Sequence, residues 1–392
     1  MQKNLERILA DAVDRGDVAH AACVVTDAND LLYQGQAGPC WSGDPARMLS
    51  EDTIYWIHSM TKPLTAAAVM QLVEQGRIGL DDDCGDLIAT LKSPQVLEGF
   101  DQAGVPVLRP AKGTITLRRL LTHTAGFAYD RWNFDQRDWI EKAGLEARDF
   151  FDDPATCPPL ASDPGTRWEY GINIDWAGKV LEVLSGQCLA DYVQAHIIAP
   201  LGMTSTGYIL TDALRPRLAG VHQRDPEGHI HAASFTPPPG IDPKSFTGGG
   251  GMFGSAADYA RFMRMILNDG ILDGNRVLAA DTVRQMKQNQ MGDIEVVALP
   301  TTMPDGSFAI DLYPGVRKGW GLSFMRFMED LPGRRRAGSL AWAGLRNTYF
   351  WIDPQSGIGA ALFTQMLPFA DPKTLVLLDD IERAVYADRQ TG

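Results

Sequence analysis

The sequence predicts an α+β fold: one antiparallel sheet built from the N- and C-terminal segments, flanked by helices, with a mostly helical lobe inserted between. Hairpin-like pairs of β-rich runs occur near the N-terminus and again in the last third of the chain. Strands joined by hairpins pair antiparallel. The stretch between them carries short helical pieces separated by Pro, Gly and Asp clusters. These observations assign residues 1–80 and 247–392 to the sheet lobe and 81–246 to the helical lobe, with the functional cleft between them.

Leu5, Ile8, Leu9, Ala12 and Val13 recur at helical spacing, which predicts an amphipathic helix over residues 3–16. Ala21 to Val25, the turn-like Asn29-Asp30 and Leu31 to Tyr33 form a hairpin pattern. Thr53 to Ile57 is a short β-rich run that leads into Ser59, and a helix follows to about Gly76. Thr116 to Leu121 and Ile174 to Ser185, closed by Gly186, read as helices, while residues 226–245, rich in Pro, Gly and His, read as a long loop. Ser255 to Leu267 is a helix with its stop at Asn268-Asp269-Gly270, and Gly319 to Phe327 alternates like a strand. Leu340 to Ile352 and Ile358 to Gln365 bracket Asp353 to Gly357 as a second hairpin. A last helix, Lys373 to Tyr386, places Leu377, Leu378, Ile381 and Val385 on one face. There is no internal repeat and no low-complexity tract.

The formal net charge of -13 repels phosphate backbones, and Arg334-Arg335-Arg336 is too short a cluster to offset it, so a nucleic-acid partner is not expected. The first residues, Met1 to Arg7, are interrupted by charges with no apolar run behind them, so no secretory signal is read. No apolar stretch is long enough to span a bilayer, and the expected compartment is the cytoplasm. The cysteines Cys23, Cys40, Cys84, Cys157 and Cys188 are odd in number and lack CxxC spacing, which predicts free thiols.

Chemistry concentrates at Ser59-Met60-Thr61-Lys62. On a helix, positions i and i+3 share a face, so the two side chains can touch. A serine hydroxyl is a weak nucleophile that needs a neighbouring base. A lysine serves only when neutral, and bringing its pKa from ~10.4 to about 7 requires ~4 kcal/mol from burial or a nearby positive charge. The start of a buried helix also favours a developing oxyanion through its dipole. Pro63 falls in the first turn, where its missing N–H costs little. Tyr170 lies between a Pro164-Gly165 turn and a helix, where a phenol can relay protons or simply pack. In Ala341-Trp342-Ala343-Gly344-Leu345, the small residues admit another group close to a strand backbone.

Other motifs carry less. No G-x-S-x-G elbow exists. Gly249 to Gly254 fits G-x-G-x-x-G but sits in a glycine run without a βαβ unit, so it reads as a loop. His229 and His231 lack a third ligand in spacing, so no metal site is expected. His123, at a helix end, reads as a capping residue.

Ser59-x-x-Lys62, Tyr170 and Trp342-Ala343-Gly344 resemble the motif set of the β-lactamase-like serine hydrolases, and more narrowly of the family VIII carboxylesterases. Leu120 to Gly126, Pro164-Gly165, Pro200 to Met203 and Gly249 to Phe253 extend the resemblance over nearly the whole chain. It implies a β-lactamase/transpeptidase-like fold and an acyl-enzyme mechanism without a cofactor. By motif position, Ser59 is the nucleophile and Lys62 and Tyr170 are the coupled base and acid. The resemblance further implies an oxyanion hole made by the backbone N–H groups of Ser59 and Leu345. Tyr129 matches a position that lines the pocket in some of these esterases, and Trp342 and Gly344 match substrate-binding positions. Two departures matter. Penicillin-directed members carry Lys-Thr-Gly where Trp342-Ala343-Gly344 stands, and a neutral aromatic cannot pair with the β-lactam carboxylate. The Tyr-x-Asn pattern is broken by Ile172, with Asn173 one residue late. The expectation is therefore a carboxylesterase acting on small or short-chain esters as small-molecule partners. The rivals are a β-lactamase or amide hydrolase, an acyltransferase, and an inactive sensor domain.

Overall fold

A computed structural model describes residues 1–41, 43–146, 150–151, 153, 155–233 and 246–387. Its centre is a seven-stranded antiparallel sheet drawn from both ends of the chain, as expected. In chain order the strands are β1 (Ala21–Thr26), β2 (Leu31–Ala37), β3 (Lys318–Trp320), β4 (Met325–Phe327), β5 (Leu340–Gly344), β6 (Thr348–Asp353) and β7 (Ile358–Phe363). Their order across the sheet is β3-β4-β5-β6-β7-β1-β2, so β1 and β7 join the two ends, with Ala22 opposite Phe363 and Thr26 opposite Gly359.

Every residue of β1, β5, β6 and β7 is buried, which is why these strands read as near-continuous apolar runs rather than alternating ones. Helices supply the cover. α1 (Gln2–Asp14) buries Leu5, Leu9 and Ala12 and packs on β1, β2 and the C-terminal helix. α2 (Lys62–Glu74) and α3 (Asn173–Ser185) pack on each other. α4 (Ala256–Leu267), capped by the Ser255 hydroxyl on Asp258 N, crosses β1, β2, β6 and β7. α5 (Pro372–Ala387) packs against α1. Ten of the thirteen residues of α2 are buried, so this helix has no solvent face and is a core element.

Three expectations need correction. Residues 319–327 form two strands, β3 and β4, which reverse at Ser323 (φ 72°). The turn was invisible because Leu322 and Phe324 are apolar and fully buried, so the alternation runs straight through it. Residues 340–352 likewise form two strands, β5 and β6, reversed at Asn347 (φ 55°), a residue that tolerates the left-handed region. Part of the expected 226–245 loop is a strand: Ile230–Ala232 pairs with His222–Arg224, which pairs parallel with Met366–Leu367. Residues 234–245 lie outside the described ones. The middle segment holds helices, as expected, but also a hairpin, Gln95–Phe100 with Pro106–Pro110. No helix among the described residues is long and apolar enough to cross a membrane.

Candidate active site

The short strand Ile54–Trp56 pairs antiparallel with Phe253–Ser255, and Ile57 N donates to Met252 O at 3.0 Å. A tight 3-10 turn, His58–Thr61, then delivers the chain into α2. His58 takes a left-handed conformation (φ 44°), a strained geometry for a non-glycine residue. Two contacts hold it there: its ring stacks on Trp56 at 4.2 Å, and its Nε2 accepts from Arg346 Nε at 3.1 Å. Burial, and then the Arg346 charge, keep the imidazole well below its usual pKa, so it stays neutral and able to accept.

This turn presents Ser59 to Lys62, whose Nζ lies 3.1 Å from Ser59 Oγ. Lys62 is fully buried. Its Nζ also donates to Tyr129 Oη at 3.2 Å and to the Gly249 carbonyl at 2.8 Å, so an amine can spend two hydrogens on these oxygens and turn its lone pair to Ser59 Oγ. The ring faces of Tyr170 and Tyr129 lie 4.8 and 5.2 Å from the same nitrogen.

Tyr129 donates to Asp175 Oδ2 at 3.2 Å, and Asp175 Oδ1 accepts from Gly249 N at 2.9 Å. Burial, followed by the charge of Asp175, pushes the Tyr129 phenol well above its usual pKa, so it remains protonated. Burial also raises the Asp175 carboxyl, against the opposing charge of Lys62. Residue 249 must be glycine here: an added Cβ would lie 2.6 Å from Asp175 Oδ2 and 2.9 Å from Tyr129 Oη.

Tyr170 is placed differently. It shows its ring to Lys62, while its hydroxyl accepts from Trp342 Nε1 at 3.0 Å. Trp342 is buried edge-on against Tyr170 and Trp320. Gly344 lies tight against the turn before the serine, where an added Cβ would meet Ile57 O at 2.3 Å. That close approach sets the end of β5 beside Ser59, and Leu345 follows directly.

Ser59, Tyr129, Asp175, Gly249 and Leu345 line one pocket of about 330 Å³. Trp132, Phe151, Ile172 and Arg131 contribute further wall. Trp342 and Gly344 stand behind this wall rather than in it. A larger hollow of about 1050 Å³ shares Trp132 with the pocket but is lined by neither Ser59 nor Tyr129. Asn173 turns away from Lys62 and donates to Phe127 O and Glu169 O at 3.0 and 3.1 Å. Among the described residues no group of three or more His, Cys, Asp or Glu could hold a metal. Asp175, His58 and Arg131 carry no sequence signal of their own, because a first-turn Asp, a pre-helical His and a loop Arg are ordinary in those places.

The profile of the Beta-lactamase family matches residues 5–380. The monacolin J acid methylbutanoyltransferase of Aspergillus terreus is 33% identical over 357 residues, covering 88% of this chain and 84% of that relative. The esterase EstB of Burkholderia gladioli is 28% identical over 413 residues, covering 98% and 94%. The unliganded simvastatin synthase from Aspergillus terreus superposes with a TM-score of 0.85 at 31% identity, covering 99% of this chain and 98% of that one.

Proposed function

Because the chain belongs to the Beta-lactamase family, we propose that it is a serine carboxylesterase that cleaves small or short-chain esters through a covalent acyl-enzyme on Ser59. The observation that carries the reading is the buried Lys62 amine 3.1 Å from the Ser59 hydroxyl. Ser59 Oγ attacks the ester carbonyl and passes its proton to the Lys62 amine. The oxyanion forms against the N–H groups of Ser59 and Leu345, each donor typically worth ~3–4 kcal/mol. Collapse expels the alkoxide, which takes from Lys62 the proton that Ser59 gave up, so the amine is neutral again for the second step. Water then attacks the acyl-enzyme by the same route in reverse order and releases the carboxylic acid.

Tyr129 is the fixed part of this machinery. Its own proton is committed to Asp175, so its oxygen faces Lys62 as an acceptor and aims the amine at Ser59. Tyr170, expected as the second proton carrier, keeps its hydroxyl on Trp342 Nε1 and only its ring face on Lys62, so the proposal routes the proton through Lys62 and leaves Tyr170 to pack beside the amine. Trp342-Ala343-Gly344 brings no cation to β5, which favours esters over β-lactams.

A second reading is transfer of the acyl group to an alcohol rather than water, and the 33% identical acyltransferase favours it. Product analysis with an added alcohol separates transfer from hydrolysis. Fluorophosphonate labelling followed by peptide mass spectrometry tests the shared step. Label on Ser59, with loss of p-nitrophenyl butyrate turnover in Ser59→Ala, is the expected result. Unlabelled Ser59 would favour a sensor domain, and faster turnover of nitrocefin than of esters would favour a β-lactamase.

A further inference from the structure

Arg131 lies in the 3-10 turn Asp130–Trp132 and lines the same pocket as Ser59 and Leu345. Its side chain is partly buried and makes no hydrogen bond or ion pair with any of the described residues. Asp130, next in the chain, spends one carboxylate oxygen on the backbone N–H of Arg131 at 2.9 Å and offsets only part of the guanidinium charge, whose pKa burial still lowers. The second carboxylate of the pocket, on Asp175, is held by Tyr129 and Gly249 N. By contrast, the buried Arg335 has Glu382 at 2.7 Å, and the buried Arg224 has Asp371 at 2.5 Å. A half-buried guanidinium with no side-chain hydrogen bond among the described residues is costly, and an anion that fits its planar fork removes the cost.

Besides Asp130, a second cation lies near Arg131. Arg346 stands close enough that burial, and then the Arg131 charge, pull its pKa down to about 10. The same charge acts on His58. Room for the guanidinium depends on Gly306: a Cβ there would lie 2.1 Å from Arg131 Nη1. The cation that β5 lacks is thus present on a different wall.

We propose that Arg131 anchors a carboxylate on the substrate, so that the preferred esters are those carrying an anionic group alongside the bond cleaved at Ser59. The inference rests on the ester reading and deepens it by naming the substrate class. The carboxylate can belong to the acyl or to the alcohol portion, and two pairs of esters separate these. Monoethyl succinate carries it on the acyl side, with ethyl 4-oxopentanoate as its neutral counterpart. Acetoxyacetate carries it on the alcohol side, with acetoxyacetamide as its neutral counterpart.

For at least one pair, kcat/KM of the anionic ester should exceed that of its counterpart about tenfold or more. Arg131→Gln should bring that ratio near one, and Arg131→Lys should retain part of it. Gly306→Ala, which displaces the guanidinium without removing its charge, should lower the ratio too and serves as the second variant if Arg131→Gln fails to fold. The preference should shrink in about 0.5 M NaCl. A ratio at or below one for both pairs, or a ratio unchanged by Arg131→Gln and by Gly306→Ala, overturns the proposal. Calorimetry on Ser59→Ala keeps the two readings apart. If the half-ester binds better than its counterpart and Arg131→Gln abolishes the difference while the parent protein, with Ser59 intact, turns over no ester, the anion site stands and the ester reading falls. If both classes are turned over equally, the reverse holds.

Discussion

Lys62 meets three oxygens and two aromatic faces, so each side chain around it has a separable contribution. Lys62→Met keeps the bulk and removes the proton acceptor. It should lower kcat by 10²–10⁴-fold with a small change in KM, read by steady-state kinetics on a p-nitrophenyl ester. Asp175→Asn separates activity from stability. Burial raises the Asp175 carboxyl, so the folded state holds its proton more tightly than the unfolded chain does. Its contribution to stability is present below the unfolded pKa of ~3.9 and is lost as pH rises through the folded value. Asparagine does not titrate. Melting curves should therefore show the variant gaining on the parent as pH rises above about 4, while kcat falls about tenfold as Tyr129 and Gly249 lose their holder. Ser59 and Lys62 were legible because i,i+3 spacing is a local property of a helix. Asp175 was not, because its partners at 129 and 249 meet it only through tertiary packing. Trp342 was legible as a motif, but whether an aromatic faces the pocket or holds a neighbour from behind depends on the strands and loops around it.

Between elements, the decisive contact is β5 against the turn that precedes Ser59. The geometry requires Gly344, whose missing Cβ lets Ile57 O approach. Gly344→Ala should separate Leu345 from Ser59 and lower kcat by about 10²-fold, the typical cost of one oxyanion donor, with a lowered melting temperature. Fluorophosphonate labelling rates measure the first effect and thermal denaturation the second. A wild-type labelling rate in that variant would remove Leu345 from the oxyanion assignment. The helices α1, α2, α3, α4 and α5 were readable from periodicity, caps and glycine stops, with ends shifted by a residue or two. The strands of the C-terminal third were readable as β but not as separate strands. Their reversals at Ser323 and Asn347 use buried residues and no glycine or proline at the positive-φ position, so the usual turn punctuation is missing.

For the molecule as a whole, His20, His123 and His222 are all fully buried. Burial depresses each of them, His20 to about 3, His222 to about 4 and His123 well below its ordinary value. A depressed histidine contributes stability that is full above the unfolded pKa of ~6.5 and is lost as pH falls. Stability should decline from about pH 6.5 toward pH 4, by up to ~4 kcal/mol per pH unit if all three are neutral when folded. The raised carboxyls of Glu169, Asp175 and Asp258 oppose this over the acidic part of the range. Urea titrations at stepped pH measure the slope, and a flat profile between pH 6.5 and pH 5 would contradict it.

The sheet order has a consequence for biosynthesis. Ser59 and Lys62 leave the ribosome early, but β7, which β1 pairs with, and β5, which abuts the serine turn, are made from the last sixth of the chain. A nascent chain carries its nucleophile long before anything braces it. Esterolysis should therefore begin only once residues 340–363 have emerged, and stalled chains ending before residue 340 should take no covalent probe.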